Sequence, residues 1–160
     1  MPVITRTAAI AALLLASACS GQPEVLEPDP TAETTVPSVA APPLPEQANE
    51  STDEGAAAAA YHWVELFNHA STTGDVRPLR RYSRGCETCL EYTKKIAELP
   101  AADRPEGDPW KVERTSVNRD SSASDVRFSV KIPDGSTEDI AFELSPRAPY
   151  SIADLYFVEK

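Results

Sequence analysis

The chain has 160 residues and a formal net charge of −10 at pH 7, from 25 acids and 15 bases. Residues 20–54 carry −8 of this charge, whereas residues 55–160 carry 17 acids and 14 bases and are close to neutral. Neither part has the basic excess of a nucleic-acid-binding protein. The last 106 residues are enough for one domain with a single core.

The first residues have the organisation of an export signal. Arg6 precedes an apolar run of eleven residues, Ala8–Ala18, which is much shorter than the roughly twenty residues that span a membrane. The run ends directly before Cys19 and resembles a bacterial lipobox, although Ala16 stands where that motif usually has Leu. We therefore expect residues 1–18 to be a signal peptide and Cys19 to carry a lipid that anchors the protein at the extracytoplasmic face of the cell membrane. The alternative is an ordinary secretory signal that happens to end at a cysteine.

The composition of residues 19–54 predicts a disordered tether. After Cys19, this segment contains eight acids and seven of the fifteen prolines, with no Lys, Arg or aromatic residue. Such a segment buries too little apolar surface to offset the entropy lost on ordering. We expect its negative charge to hold the domain away from an anionic membrane surface. An acidic partner-binding tail is the alternative.

Three helices are predicted at the start of the domain over residues 55–160. Apolar residues recur at helical spacing in the first helix. Gly74 follows it, where a helix end favours a residue that can take a positive φ. Asp75 is the predicted N-cap of the second helix, whose first turn contains Pro78. The predicted helices cover about residues 56–71, 75–82 and 86–99.

Four strands follow the helices. Apolar and polar residues alternate in the second and third strands. The last run is apolar on both faces, so we expect it to be central in the sheet or covered. The predicted strands are 110–117, 126–132, 140–144 and 152–158. This order indicates an α+β domain, with three N-terminal helices packed on a curved antiparallel meander of about four strands.

The alternation also predicts a register for the middle hairpin. A three-residue loop, Asp134-Gly135-Ser136, keeps carboxylates off the apolar face. The other face then carries opposite charges across the strands. The predicted pairs are Val130 with Ile140, Phe128 with Phe142, Val126 with Leu144, Lys131 with Asp139 and Arg127 with Glu143.

Several short motifs lie between about residues 60 and 115: Thr73-Gly74-Asp75, Pro78-Leu79-Arg80, the Cys86/Cys89 pair and Trp110-Lys111-Val112. Together they resemble a family of actinobacterial lipoproteins of unknown function. The resemblance implies a nuclear transport factor two-like (cystatin-like) domain, a cone in which helices lie across a curved sheet. It implies a location and a fold, and it implies no reaction.

Cys86 and Cys89 are the clearest candidate site. With Cys19 assigned to lipid, they form an even pair in an exported chain, where thiols tend to oxidise. Their spacing in a helical first turn gives a Cα separation of roughly 5–5.5 Å, which a disulfide accepts. We predict a structural disulfide that fixes the turn before the third helix. The alternatives are a thiol–disulfide oxidoreductase centre, which ordinarily follows a strand rather than a helix, and half of a metal site.

His62 and His69 are the candidates for a general base. Seven residues separate them on one helix, about 10 Å along its axis, which is too far for them to share a zinc ion. The predicted inward face of the central hairpin offers no titratable group. We therefore predict no catalytic residue, no metal site and no cofactor. A small hydrolase- or isomerase-like enzyme that uses one of these histidines in the cone pocket is the alternative.

Four arginines at helical spacing form a candidate anion-binding surface for a lipid headgroup or a teichoic acid. They are Arg77, Arg80, Arg81 and Arg84. The alternative is a solvated surface whose charges are paired with nearby acids. Taken together, the sequence predicts a membrane-anchored, non-enzymatic lipoprotein whose domain binds a ligand or protein partner at the cell envelope.

Overall fold

The computed structural model describes residues 39–158, and within them the α+β fold is as predicted: three helices packed against a four-stranded antiparallel meander. The predicted signal peptide, the predicted lipid on Cys19 and the first part of the predicted tether lie outside the described residues. The strand order is β1-β2-β3-β4, so each strand pairs with its neighbour in sequence. The elements are α1 (Asp53–Thr73), α2 (Arg77–Tyr82), α3 (Glu87–Ala97), β1 (Lys111–Arg119), β2 (Ser124–Lys131), β3 (Thr137–Leu144) and β4 (Ile152–Phe157).

The domain begins before residue 55, so the prediction of a tether up to residue 54 is wrong at its C-terminal end. Ala48, in a short 3₁₀ turn, is 3% exposed and belongs to the hydrophobic core. Ser51 Oγ accepts a hydrogen bond from the Ala148 amide, and the Thr52 carbonyl accepts one from the Tyr150 hydroxyl, both 3.1 Å long. On the side of residues 39–54, these bonds use only the small Ser51 side chain and a main-chain carbonyl. Composition therefore gives no sign of them.

Helix α1 begins and ends with side-chain caps. Thr52 Oγ1 accepts the Gly55 amide at 3.0 Å and so satisfies one of the free amides of the first turn. At the other end Gly74 has φ 78°, the left-handed conformation that closes many helices. The Arg104 guanidinium lies against Gly74 and donates to the Thr73 carbonyl at 3.0 Å. The cap therefore joins the end of α1 to the loop before β1.

The Asp75 carboxylate begins the turn into α2. It accepts the Arg77 amide at 3.1 Å and pairs with the Arg77 guanidinium at 2.8 Å. The hydrogen bond from the Arg77 side chain lowers the pKa of Asp75 to about 2. Val76 occupies the N-cap position that we predicted for Asp75, one residue nearer the helix. The Asp75 side chain still satisfies a first-turn amide, as a cap does.

The core lies between α1 and the inner face of the sheet. Trp63 is fully buried at its centre, with its ring 5.4 Å from Phe142 of β3 and 5.5 Å from Phe67. The Phe67 ring is 4.3 Å from that of Trp110, which directly precedes β1. Burial of such large rings dominates the favourable free energy of folding.

The predicted pairs of the β2–β3 hairpin are wrong by two residues, although the predicted inward face is buried. The structure pairs Val126 with Phe142 and Phe128 with Ile140. A slip of two residues leaves every side chain on the same face, so alternation cannot distinguish the two registers.

The turn of the hairpin decides the register. The Ile132 amide donates to the Ser136 carbonyl, and the Ile132 carbonyl accepts from the Gly135 amide. The loop between the two strands is therefore Pro133-Asp134-Gly135. Gly135 has φ 88°, which suits the last position of a three-residue loop. The predicted charge pairs do not form. Arg127 instead pairs with Asp125 on its own strand, and Asp139 accepts from the Ser129 hydroxyl.

Strand β4 lies at an edge of the sheet, so the expectation of a central or fully covered strand is wrong. Its side chains Ile152 and Leu155 are buried, but Tyr156 and Phe157 are 40% and 43% exposed. The Tyr156 hydroxyl donates to Asp125 at 3.0 Å on the open face. Aromatic side chains combine an apolar body with a partly solvated position. A strand such as β4, whose apolar run includes aromatic residues, can therefore leave one face partly exposed to solvent.

No helix between residues 39 and 158 is long and apolar enough to cross a membrane.

We expect Gly74→Ala to lower the free energy of unfolding by about 1–2 kcal/mol, because an L side chain at positive φ is strained. The added Cβ would also meet the Arg104 guanidinium. The measurement is urea unfolding followed by tryptophan fluorescence. Gly107→Ala is the matched control, because a Cβ there has no neighbour within 4 Å. Equal losses in the two variants would contradict the proposed role of Gly74.

Candidate functional site

Polar side chains of α1 line an open groove of about 710 Å³. We call it the α1–β1 groove. It lies between α1, the segment Val39–Pro42 and the entrance to β1, and its polar and aromatic lining includes Tyr61, Glu65, His69, Asp108 and Lys111. Of these residues, the sequence suggested only His69 as a candidate site residue, and Lys111 entered only as part of the Trp110-Lys111-Val112 motif.

Asn68 fixes the floor of the groove. Its side-chain amide donates to the Trp110 carbonyl at 2.8 Å, and its side-chain oxygen accepts the Trp110 amide at 3.1 Å. The residue is 7% exposed, so both bonds are shielded from water. This two-point contact holds the main chain before β1 against α1 across 42 residues of sequence. A polar residue beside the apolar face of α1 was the one sequence signal for it, since a buried amide needs partners.

The groove has acidic groups on opposite walls. Glu65 projects from α1, and burial together with the nearby Asp108 carboxylate raises its pKa. Tyr61, one helical turn before Glu65, is 44% exposed. The walls can therefore accept hydrogen bonds and pack against a flat or apolar group, which is the chemistry of a binding site.

His62 and His69 lie on different sides of the segment Val39–Pro42 and line two different cavities. His69 is 8% exposed and lines the groove, and its Nε2 has no hydrogen-bond partner in the described part of the chain. His62 is 4% exposed and lines a smaller cavity of about 310 Å³ with Tyr82 and Arg81. Its Nδ1 is 3.7 Å from a Glu65 oxygen, beyond hydrogen-bond distance. Burial lowers the pKa of His62.

The structure contains the predicted Cys86–Cys89 disulfide, with a Cα separation of 5.2 Å. Cys86 is the N-cap of α3, and its Sγ accepts the Cys89 amide at 3.1 Å. Both residues are 0% exposed. A redox partner needs access to a sulfur atom, so this burial favours a structural role over the oxidoreductase alternative.

The four predicted anion-binding arginines lie on the exposed side of α2 and the turn after it. We call this set (Arg77, Arg80, Arg81 and Arg84) the arginine stripe. Only Arg77 has an ion pair, with Asp75; among residues 39–158 no carboxylate lies within 4.0 Å of the other three. The alternative prediction, a surface paired with nearby acids, holds only for Arg77.

No group of three or more His, Cys, Asp or Glu side chains in the described residues is arranged to hold a metal ion.

We expect Cys86→Ser/Cys89→Ser to lower the free energy of unfolding by about 2 kcal/mol, because the disulfide closes only a very short loop. The measurement is urea unfolding of the oxidised protein and the variant. Cys19→Ser is the matched control and should leave the transition unchanged. A thiol-dependent reductase activity in the wild type that the double variant lacks would overturn the structural assignment.

We expect the free energy of unfolding to fall as the pH is lowered from 7 to 5. In the unfolded chain the His62 imidazole titrates near 6.5, whereas burial lowers its pKa in the folded protein. Below pH 6.5 the unfolded state therefore binds more protons, and stability falls by up to about 1.4 kcal/mol per pH unit until the folded group also titrates.

Urea unfolding at pH 7, 6 and 5 tests this expectation. His62→Gln should flatten the dependence. Asp75→Asn is the control, because a carboxyl with a pKa of about 2 does not titrate in this window. It should lower stability equally at all three pH values. An unchanged slope in His62→Gln would contradict the assignment.

Comparison with known proteins identifies a family. No curated protein and no solved structure matches the chain. The profile of a family of unknown function, DUF6318, matches residues 30–135. The match covers all three helices, both cysteines of the disulfide and the sheet as far as the β2–β3 turn. The chain belongs to the DUF6318 family.

Proposed function

We propose that the protein is a membrane-anchored extracytoplasmic lipoprotein whose domain binds a ligand or partner in the α1–β1 groove without catalysing a reaction. The observation that carries this proposal is the construction of the groove. Tyr61, Glu65 and Asp108 present an aromatic ring and two carboxylates beside a main chain that Asn68 holds in place. A fixed, open cleft with a few polar groups is typical of a recognition site.

The ligand that suits these walls has hydrogen-bond donors or a positive charge beside an apolar portion. The Glu65 and Asp108 carboxylates would accept from the donors, and the exposed Tyr61 ring would pack on the apolar part. Lys111 at the same groove would restrict the position of any cationic group.

The envelope location is supported by the leader, by Cys19 and by the disulfide. A disulfide is ordinary outside the cytoplasm and rare within it. The resemblance to actinobacterial lipoproteins points to the same location. The packing of three helices on one sheet supports relationship to the nuclear transport factor two-like cone.

An enzyme that uses the same groove is the second candidate. Its supporting observation is His69, which lines the groove and has an unpartnered Nε2. A general base is ordinarily oriented by a hydrogen bond from a second group. Among residues 39–158 no side chain makes such a bond to either ring nitrogen of His69, and for this reason we prefer binding.

Site-specific photo-crosslinking in intact cells tests the binding role. A photoreactive phenylalanine derivative replaces Tyr61 in the groove or Tyr156 on the open face of the sheet. The two tyrosines are matched, at 44% and 40% exposure. We expect a discrete cross-linked product from position 61, in the membrane fraction, and none from position 156. Glu65→Gln/Asp108→Asn should reduce its yield at least several-fold.

The same cells test the anchor and the enzyme alternative. Cys19→Ala should move the protein and its cross-linked product out of the membrane fraction, and unchanged retention would refute the lipid anchor. Equal products from positions 61 and 156 would refute the groove as the binding site. If the molecule identified by cross-linking is converted to another compound by the purified wild type but not by His69→Ala, the enzyme alternative is correct.

A further inference from the structure

We propose that the arginine stripe docks the domain onto the anionic phospholipid headgroups of the membrane that holds the anchor. This proposal rests on the membrane anchoring proposed above, and it concerns a surface separate from the α1–β1 groove. The stripe has four members of one charge, and three of them have no protein partner in the described residues. The guanidinium groups would form charge-assisted hydrogen bonds with the phosphate oxygens of the headgroups.

The helix turns the arginines to one side. At 100° per residue, Arg77, Arg80 and Arg81 lie within an arc of about 100°, and Arg84 follows in the next turn. Leu79 is fully buried on the opposite side of α2 and anchors the helix to the core. The arginines can therefore contact a flat surface together without any change in the fold.

The stripe is a local reversal of the charge of the domain. Residues 75–86 have a net charge of +3, from four arginines and Asp75, whereas the rest of residues 55–160 has a net charge of −6. An anionic surface would thus repel most faces of the domain and attract this one. Each Arg or Lys near such a surface increases binding about fivefold, and salt screens the effect.

The described chain starts close to the stripe. Arg81 lines the same cavity as Ala41 and Pro42, and the described residues begin at Val39, twenty residues after Cys19. Twenty residues can span at most roughly 70 Å. A lipid on Cys19 would therefore keep the stripe within reach of the headgroups at a high effective concentration. The acids of the tether repel the same surface, so docking would depend on the stripe and would be lost at high salt.

The full chain offers a direct test. With Cys86 and Cys89 in a buried disulfide, Cys19 is the one remaining cysteine and can be coupled to a maleimide phospholipid in vesicles. This replaces the predicted lipid, so the result does not depend on whether cells lipidate Cys19. Energy transfer from Trp63 and Trp110 to a dansyl lipid then reports the distance of the domain from the bilayer.

We expect strong transfer on vesicles with 30% phosphatidylglycerol, and a fall to the level of pure phosphatidylcholine vesicles in 0.5 M salt. Arg80→Gln/Arg81→Gln/Arg84→Gln should weaken docking about 100-fold and give the same low transfer. The control removes three exposed positive charges elsewhere on the domain, at Arg114, Lys131 and Arg147, each changed to Gln. It should keep wild-type transfer, and both variants should unfold at the wild-type urea concentration.

Three results would overturn the proposal. One is equal transfer on anionic and neutral vesicles, and another is an equal loss in the control variant, which would indicate net charge alone. The third is binding of soluble poly(glycerol phosphate) through the stripe with no docking on vesicles, which would reassign the surface to a teichoic-acid-like polymer. Release of the Cys19→Ala protein from cells is a separate readout. It can fail or succeed without deciding whether the stripe docks.

Discussion

The buried indole of Trp63 is the constraint on which the rest of the domain depends. Its ring is fully shielded from water, so its N–H must find an acceptor within the protein, and the Ser83 hydroxyl provides one at 2.9 Å. This bond places the turn after α2 against the middle of α1, and the next turn leads to Cys86. The ring itself lies against Phe142 of the sheet and Trp110 before β1. One side chain thus sets the positions of the sheet, the disulfide and the entrance to β1.

Two further contacts convert this core into a groove of fixed shape. Asn68 holds the main chain of Trp110, and Arg104 holds the end of α1 beside Gly74. In both contacts a side chain forms hydrogen bonds with main-chain atoms, of Trp110 in one case and of Thr73 in the other. The position of the main chain around the groove therefore does not depend on the exposed side chains nearby. The exposed Asp108 side chain is therefore available for recognition, whereas the Tyr61 ring also packs edge-on against the buried Phe128, with 6.3 Å between ring centroids.

The sequence predicts the features that follow from local periodicity. It does not predict those that depend on the conformation of a turn or on a contact between residues distant in the chain. Helical spacing gave α1 and its Gly74 end, and alternation gave the buried face of β2 and β3, since each follows from neighbours in the chain. The hairpin register depended on Gly135 taking a positive φ at the third loop position, which alternation does not report. The groove joins α1 to residue 110 through Asn68, so no local pattern could reveal it. Only the disulfide, with both partners in one helical turn, was a site that spacing alone could specify.

The folded segment of residues 39–54 connects the two surfaces that we propose, the α1–β1 groove and the arginine stripe. Pro42 lines both the α1–β1 groove and the smaller cavity beside Arg81, so the segment Val39–Pro42 lies between the proposed ligand site and the proposed membrane-docking surface. Ala48 and Ser51 hold the end of this segment against the domain. A lipid on Cys19, as we propose, would therefore attach the domain to the membrane through the segment that lies between these two surfaces.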